Sequence, residues 1–246
     1  MKTSFEYISA FFIVSGFLCA FIMLADIFNN RPQKIKIMNS VWFLTGIWAS
    51  WIGLYVYFKI GRANKIKNNE DDDNPIGTQN PVFNTAGRQP LSEKILLSTL
   101  HCGAVCVLAN LIAESGTYFY SAYSGSTALA IRWGLDYFLA IVFGLGFQYA
   151  AISPEKRPAI PGKIIRTAFK TAFPGLTAWQ AGVFAYSSLI FFGFHDMIGK
   201  NSWSFWFMMQ IAMFCGCLTA YPVNGLLIKF HIKKTSDKGE RPLKHY

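Results

Sequence analysis

The sequence predicts an all-α membrane protein, a polytopic bundle of about six transmembrane helices. Of the 246 residues, 52% are hydrophobic and only 15% are charged, and the mean hydropathy is +0.29. That balance is too apolar for a soluble domain. Several stretches reach or approach the length of about 20 mostly apolar residues that a helix needs to cross a bilayer. The basic residues are concentrated in alternate loops, as in multi-pass proteins.

The predicted spans are stretches of mostly apolar residues separated by polar segments. They run from Ser4 to Phe28, Met38 to Phe58, Glu93 to Ser115, Thr127 to Ile152, Leu176 to His195 and Trp203 to Phe230. The first is too long for a cleaved signal peptide, and no small-residue cleavage site leads into a soluble chain, so we expect it to be retained.

The distribution of Lys and Arg predicts that both termini lie in the cytoplasm. Cytoplasmic loops are enriched in these residues, and most of them fall in 59–94, in 156–170 and in 229–244. Lys2 also lies inside, and Arg132 lies within the fourth span. The outer loops hold only Lys200 and a discordant group in the first loop, which consists of Arg31, Lys34 and Lys36. We attribute the net charge of +10 to insertion and to anionic lipid, with no nucleic-acid partner.

Four regions follow from this pattern. Residues 1–60 form a transmembrane hairpin, 61–92 a disordered cytosolic linker, 93–235 a four-helix transmembrane domain and 236–246 a basic cytosolic tail. The linker contains an acidic run at 71–73 and three prolines, a composition typical of a solvated, disordered segment. Before the fifth span, residues 161–173 alternate basic and apolar faces, which predicts an amphipathic helix lying on the inner surface.

The third and sixth spans carry soft metal ligands. Residues four apart share a helix face, so the third span aligns two thiols, an amide and a carboxylate, with an imidazole about 100° to one side. Thiolates and thioethers favour Cu(I), and imidazole serves the same metals. The candidate metal ligands are His101, Cys102 and Cys106 in the third span and Met213, Cys215 and Cys217 in the sixth.

Other interpretations of these thiols remain open. Cys215 and Cys217 are about 200° apart around the helix, so only one of them can face the third span. Small residues also serve as packing at helix interfaces in lipid. A disulfide between Cys102 and Cys106 is disfavoured by helical geometry, whereas redox pairing of Cys106 with a thiol of the sixth span is an alternative.

Charged and polar residues in the outer half define a second candidate site. Glu114 of the third span falls at the same predicted depth as Arg132 of the fourth, and Asp136 follows one turn later. With Asn110, these residues predict either an ion cluster that ties two helices together or the outer mouth of an ion path. In the sixth span, Pro222 and Asn224 predict a hinge or a packing kink.

Two motifs carry a family resemblance over roughly 94–234. The segments HCGAVCVLANLIAE and FWFMMQIAMFCGCLTAYPVNGLLIKFHIKK resemble a bacterial membrane family known as domain of unknown function 4396. The chain matches its third-helix pattern at His101, Cys102, Cys106 and Glu114, and it has Asn110 where an acid is usual, which weakens a cation-transport role. The resemblance implies a multi-pass protein of the bacterial inner membrane and names no reaction.

These observations lead to three functional hypotheses. The first is binding or translocation of a soft metal ion such as Cu(I), with Asn110, Glu114 and Asp136 continuing the path outward. The second is an accessory or assembly subunit of a larger membrane complex or homo-oligomer, and the third is thiol oxidoreductase chemistry. The sequence contains no P-loop, dinucleotide fingerprint, His-Glu-x-x-His motif or nucleophile elbow, so we favour a protein that is not an enzyme.

Overall fold

The computed structural model describes residues 2–29, 37–62, 90–119, 125–152, 161–193 and 202–230. The helices are α1 (Lys2–Phe28), α2 (Ile37–Val56), α3 (Leu91–Phe119), α4 (Gly125–Ile152), α5 (Pro161–Gly193) and α6 (Trp203–Lys229), and α2 continues into a π-helical turn at Tyr57–Gly61. The described residues form no strand. The prediction of an all-α membrane bundle is confirmed.

Five segments are long and apolar enough to cross a membrane. They are Ser4–Phe28, Ile37–Gly61, Leu91–Gly116, Leu129–Tyr149 and Trp203–Lys229. The predicted fifth span corresponds to the second half of α5, a 33-residue helix that also includes the predicted surface helix and contains Pro174. Most of the predicted linker and all of the predicted tail lie outside the described residues, as do His195, His231 and His245.

Helices α3, α4, α5 and α6 form a four-helix unit in which consecutive helices are antiparallel. The start of α4 lies beside the end of α3, where Asn110 contacts Asp136. The end of α5 lies beside the start of α6, where Tyr186 contacts Met208. We call this end of the bundle the distal end. The opposite end, where α3 begins and α6 ends, is the proximal end.

The unit packs around Trp179 of α5, a fully buried side chain. Its indole fills a notch made by two glycines, Gly103 of α3 and Gly216 of α6, and any Cβ at either position would collide with the ring. Close helix approach through glycine is the usual packing device in lipid. Outside the unit, Trp48 of α2 meets Trp179 edge to face, with ring centroids 5.5 Å apart.

Helix α2 is broken at Ser50, inside the segment that the sequence predicts as the second span. At Ser50 the backbone adopts φ 47° and ψ −126°, and the chain then doubles back on itself. As a result Tyr57 packs on Trp42 with ring centroids 5.3 Å apart, although 15 residues of continuous helix would separate them by about 22 Å. We call residues 37–49 the first arm and residues 51–61 the second arm.

Helix α1 runs in the same direction as α6. Ser204, at the start of α6, donates a hydrogen bond of 2.9 Å to Glu6, near the start of α1. Phe12 then stacks on Phe207 at 5.1 Å, so α1 and α6 run parallel. Six complete crossings with both termini on one face require these two helices to be antiparallel. The parallel arrangement arises because α2 reverses direction at Ser50. The chain therefore leaves α2 at the end where it entered, and α3 starts there.

Candidate functional site

A cavity of about 200 Å³ lies at the distal end, between the four helices of the unit. Its wall combines ionisable and amide side chains with aromatic rings and two thioethers. The polar wall consists of Asn110, Glu114, Arg132 and Asp136; Trp133, Phe184, Tyr186, Phe191, Phe205, Met208 and Met209 form much of the rest. An apolar pocket with a few convergent polar groups is the usual form of a small-ligand site.

An ion pair joins α3 to α4 across this cavity. Arg132 Nη2 donates a hydrogen bond to Glu114 Oε2, and the two side chains are only 12% and 9% exposed. The guanidinium also lies 5.9 Å from the ring centroid of Phe205. Because two buried opposite charges neutralise each other, the pair adds no net charge to the site.

The Asp136 carboxyl group is the remaining ionisable group of the cavity wall. Its side chain is 2% exposed, and Asn110 Nδ2 donates to its Oδ2 over a long 3.4 Å. Its Oδ1 has no hydrogen-bond partner in the structure. Gln180, which is 1% exposed, adjoins this carboxyl group, yet its amide makes no hydrogen bond of normal geometry. The Gln180 amide and the Asp136 carboxyl group therefore lie close together beside the cavity, without a hydrogen bond of normal geometry between them.

A second group of polar side chains lies toward the proximal end. Asn224 Oδ1 accepts a hydrogen bond from Ser98 Oγ at 3.2 Å and a longer one from Cys102 Sγ at 4.0 Å. A Cβ at Gly175 would lie 3.0 Å from the Asn224 oxygen and 3.2 Å from the Cys102 sulfur, so the α5 backbone covers both. We call Ser98, Cys102 and Asn224 the proximal polar cluster.

Two prolines flank the proximal polar cluster. Pro174 precedes Gly175 in α5, and Pro222 lies two residues before Asn224 in α6. Each proline lacks the backbone N–H that would bond the carbonyl four residues earlier. Helix α6 nevertheless continues through Pro222 to Lys229. The predicted hinge residues thus lie at a polar contact between α3 and α6.

The metal ligands proposed for α3 contact different neighbouring helices. His101 packs its ring against Phe147 of α4 at 6.1 Å, whereas Cys102 faces Asn224 on α6. Cys106 is fully buried. Among the residues that the structure describes, no group of three His, Cys, Asp or Glu side chains is placed to hold a metal ion.

The thiols of α6 are also not gathered at one site. Cys215 and Cys217 are partly buried, and Met213 is 3% exposed in the core. The five cysteines all lie in the described ranges, and none of them forms a disulfide. On α3, by contrast, one row of side chains runs from the proximal polar cluster to the distal cavity. It consists of Cys102, Cys106 and Asn110, which are spaced one helical turn apart.

Two residues near the site were not predicted from the sequence. Gln180 and Trp179 lie side by side in the segment TAWQAGVFAY. The only signal was the amide in an apolar helix, since such polar groups in lipid mark a helix contact or a path. Trp179 separates the proximal polar cluster from the cavity because it fills the space between Gly103 and Gly216.

The fold and the site together define a multi-pass helical membrane protein with a cavity lined by ionisable side chains between the helices of a four-helix unit. The family model described as "Domain of unknown function (DUF4396)" matches residues 93–233. The chain belongs to this family, as the resemblance of the third and sixth spans predicted. No curated protein and no solved structure matches the chain. The family match covers the four-helix unit and leaves α1 and α2 outside it.

Proposed function

We propose that the four-helix unit binds a small cation in the distal cavity and conducts it toward the proximal polar cluster. The observation that carries the proposal is Asp136, a carboxyl group that is 2% exposed, lines a cavity and keeps one oxygen without a hydrogen-bond partner. With Glu114 paired to Arg132, an ionised Asp136 leaves the cavity with one net negative charge. A buried carboxylate in lipid is costly unless a proton or another cation neutralises it.

The cavity wall suits a cation in other respects. Aromatic rings present their negative faces to positive charge, and this attraction strengthens where water is excluded. Trp133 and Phe184 stack at 5.0 Å along the wall, and Phe205 already contacts the Arg132 guanidinium. The Asn110 amide orients the Asp136 carboxyl group through its hydrogen bond.

A route inward follows α3 from the cavity. Cys106 lies one helical turn from both Asn110 and Cys102 on the same face of α3. Cys102 then contacts Asn224 in the proximal polar cluster. Trp179 closes the space between the two polar regions in this conformation, so conduction requires its indole to move. Near this level Pro174 interrupts the backbone hydrogen bonds of α5, and Pro222 interrupts those of α6.

A soft metal ion such as Cu(I) is the second candidate for the bound cation. The observation that favours it is that the thioethers of Met208 and Met209 line the same cavity as Asp136, and thioethers select soft monovalent metals. Tyr186 hydroxyl donates to Met208 Sδ at 3.1 Å, which fixes one sulfur at the wall. In this form of the soft-metal hypothesis, the ligands are the thioethers of the cavity wall and not the thiols of α3 and α6.

The test is cation-dependent thermal stability of the purified protein in detergent. Wild type is titrated with Li⁺, Na⁺, K⁺ and Ag⁺, the last as a soft probe. A ligand that binds only the folded state stabilises it by about 2.7 kcal/mol at 100 times its Kd. We expect one of these ions to raise the Tm of wild type and to leave Asp136→Asn unchanged.

Asp26→Asn is the matched control. Asp26 lies at the end of α1, where it pairs with Arg62 at 2.7 Å, so the same chemical change is made away from the cavity. It should keep the wild-type response. If Met208→Leu with Met209→Leu abolishes the response to Ag⁺ alone, the soft-metal candidate is supported. The cation proposal fails if no ion shifts wild type, or if Asp136→Asn responds as wild type does.

A further inference from the structure

The backbone break in α2 lies at the tip of a folded-back pair of helical arms. Ser50 is the one non-glycine residue of the described ranges with a positive φ. Beyond it the second arm packs closely on the first, since a Cβ at Gly53 would lie 3.1 Å from Thr45 O. Gly61 abuts the ring of Trp42 so closely that no Cβ fits there. The chain therefore returns toward the end at which it entered.

The second arm ends beside the end of α1. Arg62 Nη2 lies 2.7 Å from Asp26 Oδ1, and Tyr57 hydroxyl donates to Asp26 Oδ2 at 2.9 Å. Asp26 lies two residues before Phe28, the last residue of α1. The first arm is about 20 Å long at about 1.5 Å per residue, too short for the about 30 Å of a hydrocarbon core. The two arms thus enter and leave at one end of the bundle.

The break is enclosed by protein, as lipid requires. Irregular backbone at membrane depth is tolerated only where other groups satisfy it. Gln210 Nε2 of α6 donates to Ile47 O at 2.8 Å, and the hydroxyls of Ser15 and Ser50 lie 3.0 Å apart. Ser50 is 7% exposed. The break at Ser50 is therefore an ordered turn, buried and hydrogen-bonded inside the bundle.

Charge supplies an independent argument. If the arms return to their starting face, the segment between α1 and α2, with Arg31, Lys34 and Lys36, lies on the same face as the basic segment 62–90 and the basic tail. The opposite face then holds only Lys2 and Lys200 among the loop and terminal basic residues. This distribution follows the positive-inside rule more closely than one with six complete crossings.

We propose that residues 37–61 form a re-entrant helical hairpin, so that the chain crosses the membrane an odd number of times and its two termini lie on opposite faces. The parallel packing of α1 and α6, with Glu6 beside Ser204, requires the same arrangement. The tip of the hairpin packs against the four-helix unit, because the ring of Trp48 contacts the rings of Trp179 and Phe214, the latter with centroids 4.9 Å apart. The inference is independent of the cation proposal.

Labelling of single introduced cysteines in intact cells tests this topology. Lys34→Cys, Lys67→Cys and Lys200→Cys are each made in the full chain and exposed to a membrane-impermeant maleimide, before and after the membrane is opened. The wild-type chain measures background labelling of its own buried and partly buried cysteines. A re-entrant hairpin places position 34 on the face of position 67, whereas a second crossing places it on the face of position 200.

The expected result is that Lys34→Cys and Lys67→Cys share one labelling pattern and Lys200→Cys shows the opposite one. Any other grouping of the three positions overturns the proposal. A second measurement needs no substitution. Protease-cleavable tags at the amino and carboxyl termini of the same chain should be cut from opposite faces of the membrane, and cleavage of both from one face also overturns the proposal.

Discussion

Arg132 offers the sharpest test of the buried ion pair. Replacing it with methionine leaves Glu114, whose side chain is 9% exposed, without its cation and in the same cavity as Asp136. Removing one member of a buried pair costs about 3 to 5 kcal/mol because the remaining charge stays desolvated. Replacing both members with apolar residues of similar volume is often neutral or stabilising. We therefore expect Arg132→Met with Glu114→Met to be more stable than Arg132→Met by about 3 kcal/mol.

The measurement is reversible unfolding of the four proteins of this cycle in detergent, followed by tryptophan fluorescence. Wild type, the two single variants and the double variant are compared under one set of conditions, since coupling is defined only across the complete cycle. If Arg132→Met unfolds within about 0.5 kcal/mol of wild type, the range of an ordinary surface substitution, Glu114 and Arg132 do not form a desolvated pair. The description of the cavity would then be wrong.

Two further predictions concern helix packing. Gly103→Ala places a methyl group against the Trp179 ring and should destabilise the protein by about 1 to 3 kcal/mol, the usual cost of overpacking. The control Gly134→Ala meets no atom within 4 Å and should be neutral or stabilising. Thermal unfolding compares the two variants, and equal losses of stability would show that Trp179 does not pack tightly against Gly103. Gln210→Leu removes the donor to Ile47 O and should cost about 1 to 3 kcal/mol, measured in the same way, with an unchanged Tm counting against the enclosed turn.

Hydropathy alone predicted the class of the fold, because lipid imposes one requirement on every crossing segment. A helix satisfies all its backbone groups internally, so a long apolar stretch has one main solution. The same physics leaves the path of α2 through the membrane undetermined. Ile37–Gly61 is long and apolar enough to cross, but hydropathy reports the surroundings of a segment and carries no information on its direction. The discordant basic residues of the first loop, Arg31 among them, were the available signal.

Depth along each helix predicted one contact in the wall of the cavity. Counting residues from the span midpoints placed Glu114 level with Arg132, and the structure has them in contact. Soft-ligand chemistry grouped His101 with Cys102, yet adjacent helix positions point about 100° apart, and the two side chains face different helices. Which neighbour each face meets is set by tertiary packing, and Trp179 and its two glycines determine it here.

Cation flux into proteoliposomes is the decisive measurement for conduction through the Asp136 cavity. Wild type, Asp136→Asn and the control Asp26→Asn are reconstituted at equal density, and uptake is followed for the ion that stabilises the purified protein. We expect uptake by wild type and Asp26→Asn and a loss of at least about tenfold for Asp136→Asn, which corresponds to about 1.4 kcal/mol in the barrier. Equal uptake by wild type and Asp136→Asn would contradict it.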